Sequence, residues 1–429
     1  MRRTVATRLR GSASLAWLGT LPQAVAFQRR PLATLRRYAR SGGEGFTLAT
    51  LAAGRTWVVA TPELAHDVLH AEHGLYRAGA ANRRILPVLP DCTLLTLDGE
   101  AHRARRRVLA PLFHGDSLET TATFIRGVAR VEMQRWPIGR PFAVLPRMRF
   151  MTLQVAARLV LGVEDPALVR ELERHLSDAL RPYAMLARLQ RLAVLGAASP
   201  QAQAVRCRAG FAGGLNQVWA ARPYAPVDGP PNAVDLLRAA ADDAEIADEA
   251  FALLLAGHET TSSALAWAVE MLAHEPAATA ALAREGANGG SRPLLDAVIF
   301  EILRLRPPLV DIVRELSEPA RLGTRDLAAG TLVLISPPLI HDHTRPSPEA
   351  FMADRFLARR PDPLTWLPFG GGERRCLGAS LALLELREIL AQLVDRFELT
   401  PADEQREDAR LHGTALVPAR GARVVLRPR

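Results

Sequence analysis

Apolar positions along this chain of 429 residues recur mostly three and four apart, the period of helices that bury one face. Leu32, Leu35 and Tyr38 predict a first helix over 31–40, ended by Gly42 and Gly43. FTLATLAAGRTWVVATP, 46–62, breaks that period: β-rich runs on either side of Gly54 predict a hairpin, stopped at Pro62. A short helix over 63–73 follows, then an irregular stretch over 77–98 with Pro87, Pro90 and fragments of helix. From 100 to about 222 the pattern is helical, interrupted near Gly115, 137–141, Pro146 and 196–200. VDGPPNA, 227–233, predicts an exposed loop, and a long helix runs from about 246 to 275, where Pro276 stops it. Another helix over 292–305 ends at Pro307 and Pro308. Short strands at 320–322 and 331–335, a proline-rich region to Pro368, a final long helix and a terminal hairpin within 416–428 complete the pattern. The class expected is mainly α with small β-sheets.

Composition narrows this picture. Hydrophobic content of 48% permits a large core. All 54 basic residues are arginine, and the formal charge is +9, but the arginines are dispersed among acids. A solvated basic surface is therefore expected rather than a nucleic-acid site. The three cysteines, Cys92, Cys207 and Cys376, are widely spaced, which argues against a disulfide framework and a structural zinc site and fits a reducing cytoplasm. Residues 1–27 imitate a secretory leader, but Pro22 and Gln23 interrupt the apolar stretch over 12–27, which is too short to span a bilayer, so 1–20 is expected as an irregular lead-in. No membrane span is expected.

Three local patterns carry candidate chemistry. FALLLAGHETTSSALAWAVEML, 251–272, is apolar nearly all round, yet Gly257, His258, Glu259 and Thr260 sit at its centre. Mid-helix glycine costs about 1 kcal/mol against alanine, and an unpaired buried carboxylate costs several. A local break beside a polar cavity is expected, with a satisfied core network or a simple kink as the bland alternative. Elsewhere, Glu301 and Arg304 lie three apart on one helix face, and His102 and Arg106 four apart on another, where two cationic groups can bind a carboxylate or phosphate. Taken alone, both pairs also read as ordinary solvated helix faces. The third pattern is FGGGERRCLG, 369–378, which sets Cys376 between glycines, arginines and a helix N-terminus. That context suits a nucleophile, a metal ligand or a small gap-filling residue.

Taken together and in chain order, these patterns resemble the cytochrome P450 family of haem-thiolate monooxygenases. FGGGERRCLG resembles its haem-binding loop at Phe369, Gly370, Gly372, Arg374, Cys376 and Gly378. AGHETT, 256–261, resembles its oxygen-binding stretch at Ala256, Gly257, Glu259 and Thr260. Glu301, Arg304 and the Arg355 of ADRF resemble its structural triad, although the usual motif is Pro-Glu-Arg-Phe. His102, Arg106 and Arg314 resemble its propionate-binding residues. The match spans about 21–428, a single domain.

The resemblance implies a triangular-prism, α-rich fold with a long central helix over haem. It implies haem b with Cys376 thiolate on iron and O2 as co-substrate, and Arg374, His102, Arg106 and Arg314 on the propionates. Glu259 and Thr260 would relay protons for dioxygen activation, and one oxygen atom would enter a lipophilic substrate in specialised metabolism. Residues 79–95, parts of 181–211, 251–256, 309–313 and 414–417 would line the pocket, with Asp311 the one carboxylate of its segment. A ferredoxin or flavodoxin-type donor with its NAD(P)H reductase would dock near Arg103, Arg105, Arg107 and Arg375. A cytoplasmic monomer is expected. The rival readings are an electron-independent isomerase or peroxygenase, a non-catalytic module of the same fold, and a haem-based sensor. Glu259 and Thr260 argue against the first and Cys376 against the second. No signalling or DNA-binding segment supports the third.

Overall fold

The computed structural model describes residues 20–186, 206, 210–215, 231–343 and 348–429, with 52, 72–73 and 87 excepted. Most of the lead-in, the interruption at 196–200, most of the loop at 227–233, Cys207 and the pocket walls expected at 187–205 and 207–209 lie outside the described residues.

The central helix is Asp243–Ala273. Asp242 caps it by accepting from the Glu245 amide at 2.8 Å, and Pro276 prevents its continuation. It packs chiefly along the helix Leu145–Leu161. The helices Asp116–Met133, Pro293–Leu305 and Ala379–Arg396 surround this pair, and their apolar faces form the largest core cluster. Trp267, Phe251 and Met148 are among its fully buried members.

A five-stranded sheet forms a separate layer in the order Gly45–Thr50, Gly54–Val59, Leu332–Ile335, Ile312–Leu316, Tyr76–Arg77. Its first two strands are the hairpin expected around Gly54, in register Thr50 to Gly54. Small sheets complete the β content, in agreement with the class expected from the sequence.

Four local expectations need correction. A helix Leu21–Arg29 precedes the one at Pro31–Gly42, because Pro22 falls in its first turn, where a missing N–H costs nothing. Pro276 likewise ends the central helix and opens another, Pro276–Ala287, that its stop signal concealed. The helical run after residue 100 also breaks at Gly162, a left-handed C-cap with φ of 65°. The terminal hairpin is absent. Ala415–Pro418 pairs with Ala409–His412, while Arg423–Pro428 pairs with Phe397–Pro401 and Phe142–Ala143. Alternation identified both strands, but their partners lie elsewhere in the chain.

Candidate functional site

Cys376 lies two residues before the N-cap of Ala379–Arg396, at the end of a folded-back loop. Its amide donates to the Phe369 carbonyl at 2.9 Å, and the Arg375 amide donates to Gly372 at 3.1 Å. Phe369 packs against Trp366, whose indole N–H donates to the Phe300 carbonyl. Cys376 is exposed at the end of this loop. Burial pushes its thiol up, while the Gly378 amide and the charges of Arg375 and Arg106 pull the other way without prevailing. A nucleophilic cysteine requires the opposite balance. This balance speaks against a nucleophile and leaves the metal-ligand and gap-filling readings open.

Gly372 owes its identity to the protein around it. Its φ is +64°, and a Cβ there would sit 2.0 Å from the Leu69 carbonyl oxygen. The loop is pressed against the end of the helix Pro62–His70. Clearance for a flat ligand is therefore not what this glycine supplies, whereas Gly378 borders the Phe113 ring at an ordinary distance.

Cationic groups gather around the same loop. His102 is buried, with Nδ1 3.5 Å from Glu373 and no hydrogen-bond partner. Burial, then Arg374, lower its pKa to about 4 against the opposing pull of Glu373. It is neutral at pH 7. Among the described residues Arg106 makes no ion pair, although Cys376 and Glu373 are both close enough for their charges to act on it. Arg314 is almost wholly buried, its Nη1 donating only to the Val313 carbonyl at 3.0 Å. Burial, then the neighbouring Arg374, lower its pKa to about 10. Arg374 itself is engaged: it donates to the Leu94 carbonyl at 3.2 Å and the Asp98 carboxylate at 2.7 Å, and also to the Leu97 carbonyl.

Asp98 is the residue the sequence did not reveal. Besides Arg374 it accepts from the amides of Gly79 and Ala80 at 2.7 and 2.8 Å, which leaves the helix Gly99–Leu109 without a side-chain cap. Gly79 is forced, since a Cβ there would lie 2.3 Å from the Thr96 carbonyl oxygen. Its place before a helix beginning Gly-Glu would suit a cap, but its partners lie at Gly79, Ala80 and Arg374.

On the central helix the expected break at Ala256 and Gly257 does not occur: the helix is continuous from Asp243 to Ala273. Side-chain donors supplement its ladder. The Thr260 hydroxyl donates to the Ala256 carbonyl at 2.7 Å, and the Thr152 hydroxyl to the His258 carbonyl at 3.1 Å. The kink-or-network alternative thus describes the backbone better. A Cβ on Gly257 would meet only Ala156, at 3.8 Å. Glu259 is held by Arg149 at 3.1 Å, with the His258 Nε2 at 3.5 Å and the His412 Nδ1 at 4.0 Å. Burial alone would raise its pKa, but hydrogen bonding from His258 and the charge of Arg149 outweigh it and hold the carboxyl at about 2. Arg149 and His412 had no sequence signal, because each reaches Glu259 from a separate element.

The charged helix pair proves fully buried. Arg304 Nε and Nη2 donate to the two Glu301 oxygens at 2.7 and 2.9 Å, with both side chains at 0% exposure. Arg355 Nε approaches Glu301 at 3.5 Å, and the Met352 amide donates to the same carboxylate at 2.8 Å. His341 accepts from the Leu367 amide at 2.8 Å and its other nitrogen bonds the Arg304 carbonyl, also at 2.8 Å. Both ring nitrogens are thus occupied, and no metal-holding cluster occurs among the described residues.

The family model for cytochrome P450 matches residues 9–425. The chain belongs to the cytochrome P450 family. This P450 is 34% identical over 423 residues to a Mycobacterium tuberculosis protein provisionally named cytochrome P450 135B1, covering 94% of this chain and 89% of the relative. Its fold is similar to cyanobacterial CYP120A1 with retinoic acid bound, at TM-score 0.80 and 24% identity, covering 92% and 94% of the two chains. It is also similar to CYP175A1 from Thermus thermophilus, at TM-score 0.75 and 27% identity, covering 99% and 100%. The protein is accordingly a haem-thiolate monooxygenase. No helix among the described residues is long and apolar enough to cross a membrane.

Proposed function

We propose that this P450 binds haem b through Cys376 and inserts one oxygen atom of O2 into a lipophilic small molecule, using electrons from a separate donor. The observation that supports it most is the exposed Cys376, with Arg106 close to its sulfur and Arg314 beside Arg374, neither arginine in an ion pair among the described residues. Bound haem would supply the reductive activation of O2, with the thiolate donating electron density to iron. The chain's residues supply the rest. Arg106, Arg314 and His102 hold the propionates, and Arg374, anchored by Asp98, stiffens that rim. The Gly378 amide, directed at the sulfur, tunes its donation. Phe369 shields it from water.

Thr260 holds its hydroxyl proton against the Ala256 carbonyl, from which rotation can release it toward the cavity. Glu259, ionised and tethered to Arg149 and His412, passes protons inward from the half-exposed His412. Thr260→Ala and Glu259→Gln are expected to keep NAD(P)H consumption within a few-fold while product per electron pair falls about tenfold, with hydrogen peroxide making up the difference. Unchanged coupling in both variants would remove the pair from proton delivery.

The docking face is smaller than the sequence implied. Arg105 is 10% exposed and bonded to the Glu249 carboxylate at 2.8 Å and to Glu245 at 3.3 Å, so it is internal. Arg375 is exposed, and Arg107, 69% exposed, also faces solvent although it shares Glu100 with Arg103, each at 2.9 Å; these are the cations left for an acidic donor. Arg107→Glu should slow reduction by the donor several-fold and flatten its salt dependence; an unaltered rate and salt slope would exclude that face.

The reading as a whole is tested by reducing the purified protein under carbon monoxide. The red-shifted Soret band of thiolate-ligated haem is the expected result. A folded, haem-loaded sample without that band would defeat it.

A further inference from the structure

Residues 93–98 bridge the cysteine loop and the central helix. On the loop side Arg374 donates to the Leu94 carbonyl at 3.2 Å, to the Leu97 carbonyl and to the Asp98 carboxylate. On the helix side the Leu94 amide donates to both oxygens of Glu249, at 3.1 and 3.0 Å. The backbone of Leu94 is thus held between the arginine of one element and the carboxylate of the other. The helix Ala78–Ile85 gives a third support: Asn82 donates to the Leu95 carbonyl at 2.7 Å and Arg83 to the Thr96 carbonyl. Thr93 and Thr96 are buried, and their hydroxyls share a hydrogen bond of 2.9 Å that keeps the stretch folded as a turn.

The two sides are fastened by different chemistry. Arg374 is a permanent cation that makes three bonds to the stretch. The helix side depends on Glu249, a buried and titratable carboxyl that also accepts from Arg105 Nη1 at 2.8 Å. Arg105 divides its guanidinium between Glu249 and the more exposed Glu245, at 3.3 Å. Asp248, next to Glu249, accepts from the Cys92 thiol at 3.5 Å. The short helix Ala233–Leu237 packs on both helices and brings Asp235 and Arg238 near the start of the central one. Burial, with Asp248 adding to it, outweighs the Leu94 amide and Arg105 and pushes the Glu249 carboxyl up to about 7. A carboxyl raised on folding costs stability where it is ionised, so above pH 7 stability does not explain its place.

We propose that Glu249 is a positioning residue that latches residues 93–98 to the central helix and thereby sets how fast ligands reach and leave the haem. The inference rests on the haem reading above and adds control of access to it. With Glu249 ionised, Arg105 and the Leu94 amide converge on it and the stretch is drawn against the helix. Protonation removes the charge from the Arg105 bond and leaves one oxygen to accept where two did. The guanidinium then turns to Glu245, and Leu94 is held mainly through its carbonyl by Arg374. The stretch swings on its cysteine-loop side, and the gap opens along the central helix.

The test follows 1-phenyl-1,2,4-triazole, a haem ligand that stays neutral between pH 6 and 8, binding to and leaving ferric holoenzyme in stopped flow. At pH 8 Glu249→Gln should raise the association and dissociation rates together by about fivefold and leave Kd within about twofold, because a latch changes the barrier and not the bound state. Wild-type rates should climb toward those of the variant as pH falls through about 7, while the variant stays flat. The variant should melt no lower than wild type at pH 8, which separates a released latch from general loosening. Arg105→Gln, which cuts the same bond from the other side, should also exchange faster, and Arg105→Lys should lie between it and wild type. Unaltered rates in Glu249→Gln, a wild-type profile without the step near pH 7, or faster exchange with a lower melting temperature would each overturn the proposal. The carbon monoxide spectrum of the same samples separates the two readings. A missing thiolate band sinks the haem assignment, whereas a normal band with unaltered rates sinks the latch alone.

Discussion

Replacing Cys376 with alanine is expected to remove the thiolate Soret band and lower monooxygenase turnover by about three orders of magnitude, equivalent to roughly 4 kcal/mol of barrier. Burial raises the pKa of the Cys376 thiol, and the Gly378 amide, Arg375 and Arg106 only partly offset this, so the free thiol is protonated at neutral pH. Ligation to iron displaces that proton, and haem loading of the apoprotein should release close to one proton per site at pH 7. The Ala variant should load haem without this release, held by the same propionate partners. Serine is the sharper comparison: it preserves the volume, and its oxygen is a poorer donor to iron. Proton release measured in weakly buffered solution and the carbon monoxide spectrum report different events. Cys376→Ala protein that retained the thiolate band would transfer the ligand role to another residue, and Cys92 is the one other cysteine within the described residues. That thiol is pushed up to about 11 by burial and by Asp248, to which it donates at 3.5 Å, which makes it a poor substitute.

What the sequence revealed follows the range of the interactions involved. The cysteine loop was legible because its parts are contiguous: Gly372, Arg374, Cys376 and Gly378 lie within seven residues and precede a strongly helical pattern. The central helix was legible because apolar residues cover it, and its polar centre stood out by contrast. Its predicted break failed because the sequence cannot show that the hydroxyls of Thr260 and Thr152 supplement the backbone carbonyls instead of replacing their bonds. Arg105 was misplaced for a similar reason. It shares a helix with Arg103 and Arg107, but its partners Glu245 and Glu249 are about 140 residues away, which is beyond any pattern of spacing. Asp98, Arg149 and His412 were missed on the same ground. The terminal strands were recognised by alternation and mispaired, because proximity in sequence favours a hairpin whereas their ladders run to three other segments. Asp311 is the converse case: its residue type made it odd among aliphatic neighbours, and no ion pair to it occurs among the described residues.

The second large effect is expected at Arg304, where alanine should destabilise the fold by about 3–5 kcal/mol, because it strips the buried Glu301 carboxylate of its two short charged bonds and leaves it only the Met352 amide and Arg355 at 3.5 Å. The pair is fully buried, and Arg304 also donates to the Pro348 carbonyl at 2.7 Å and the Ala350 carbonyl at 3.2 Å. One side chain therefore joins the helix Pro293–Leu305 to the segment that carries Met352 and Arg355. Against a typical stability of about 5–15 kcal/mol, the loss is a large fraction of the whole. Lysine should be nearly as harmful as alanine, since a single ammonium cannot reproduce two parallel bonds to the carboxylate together with two to carbonyls. Replacing both partners by apolar residues, Glu301→Leu with Arg304→Met, should recover part of the loss, because no charge is then stranded. Soluble yield and thermal melting of the apoprotein measure this independently of haem. If Arg304→Ala melted within a degree of wild type, the buried pair would contribute little to the fold. If the double apolar variant melted below both single variants, the pair would be a net source of stability, and the stranded-charge argument would be wrong. The expected order, wild type above the double variant and the double variant above either single one, places the constraint in the obligation to satisfy a buried charge once the fold contains it.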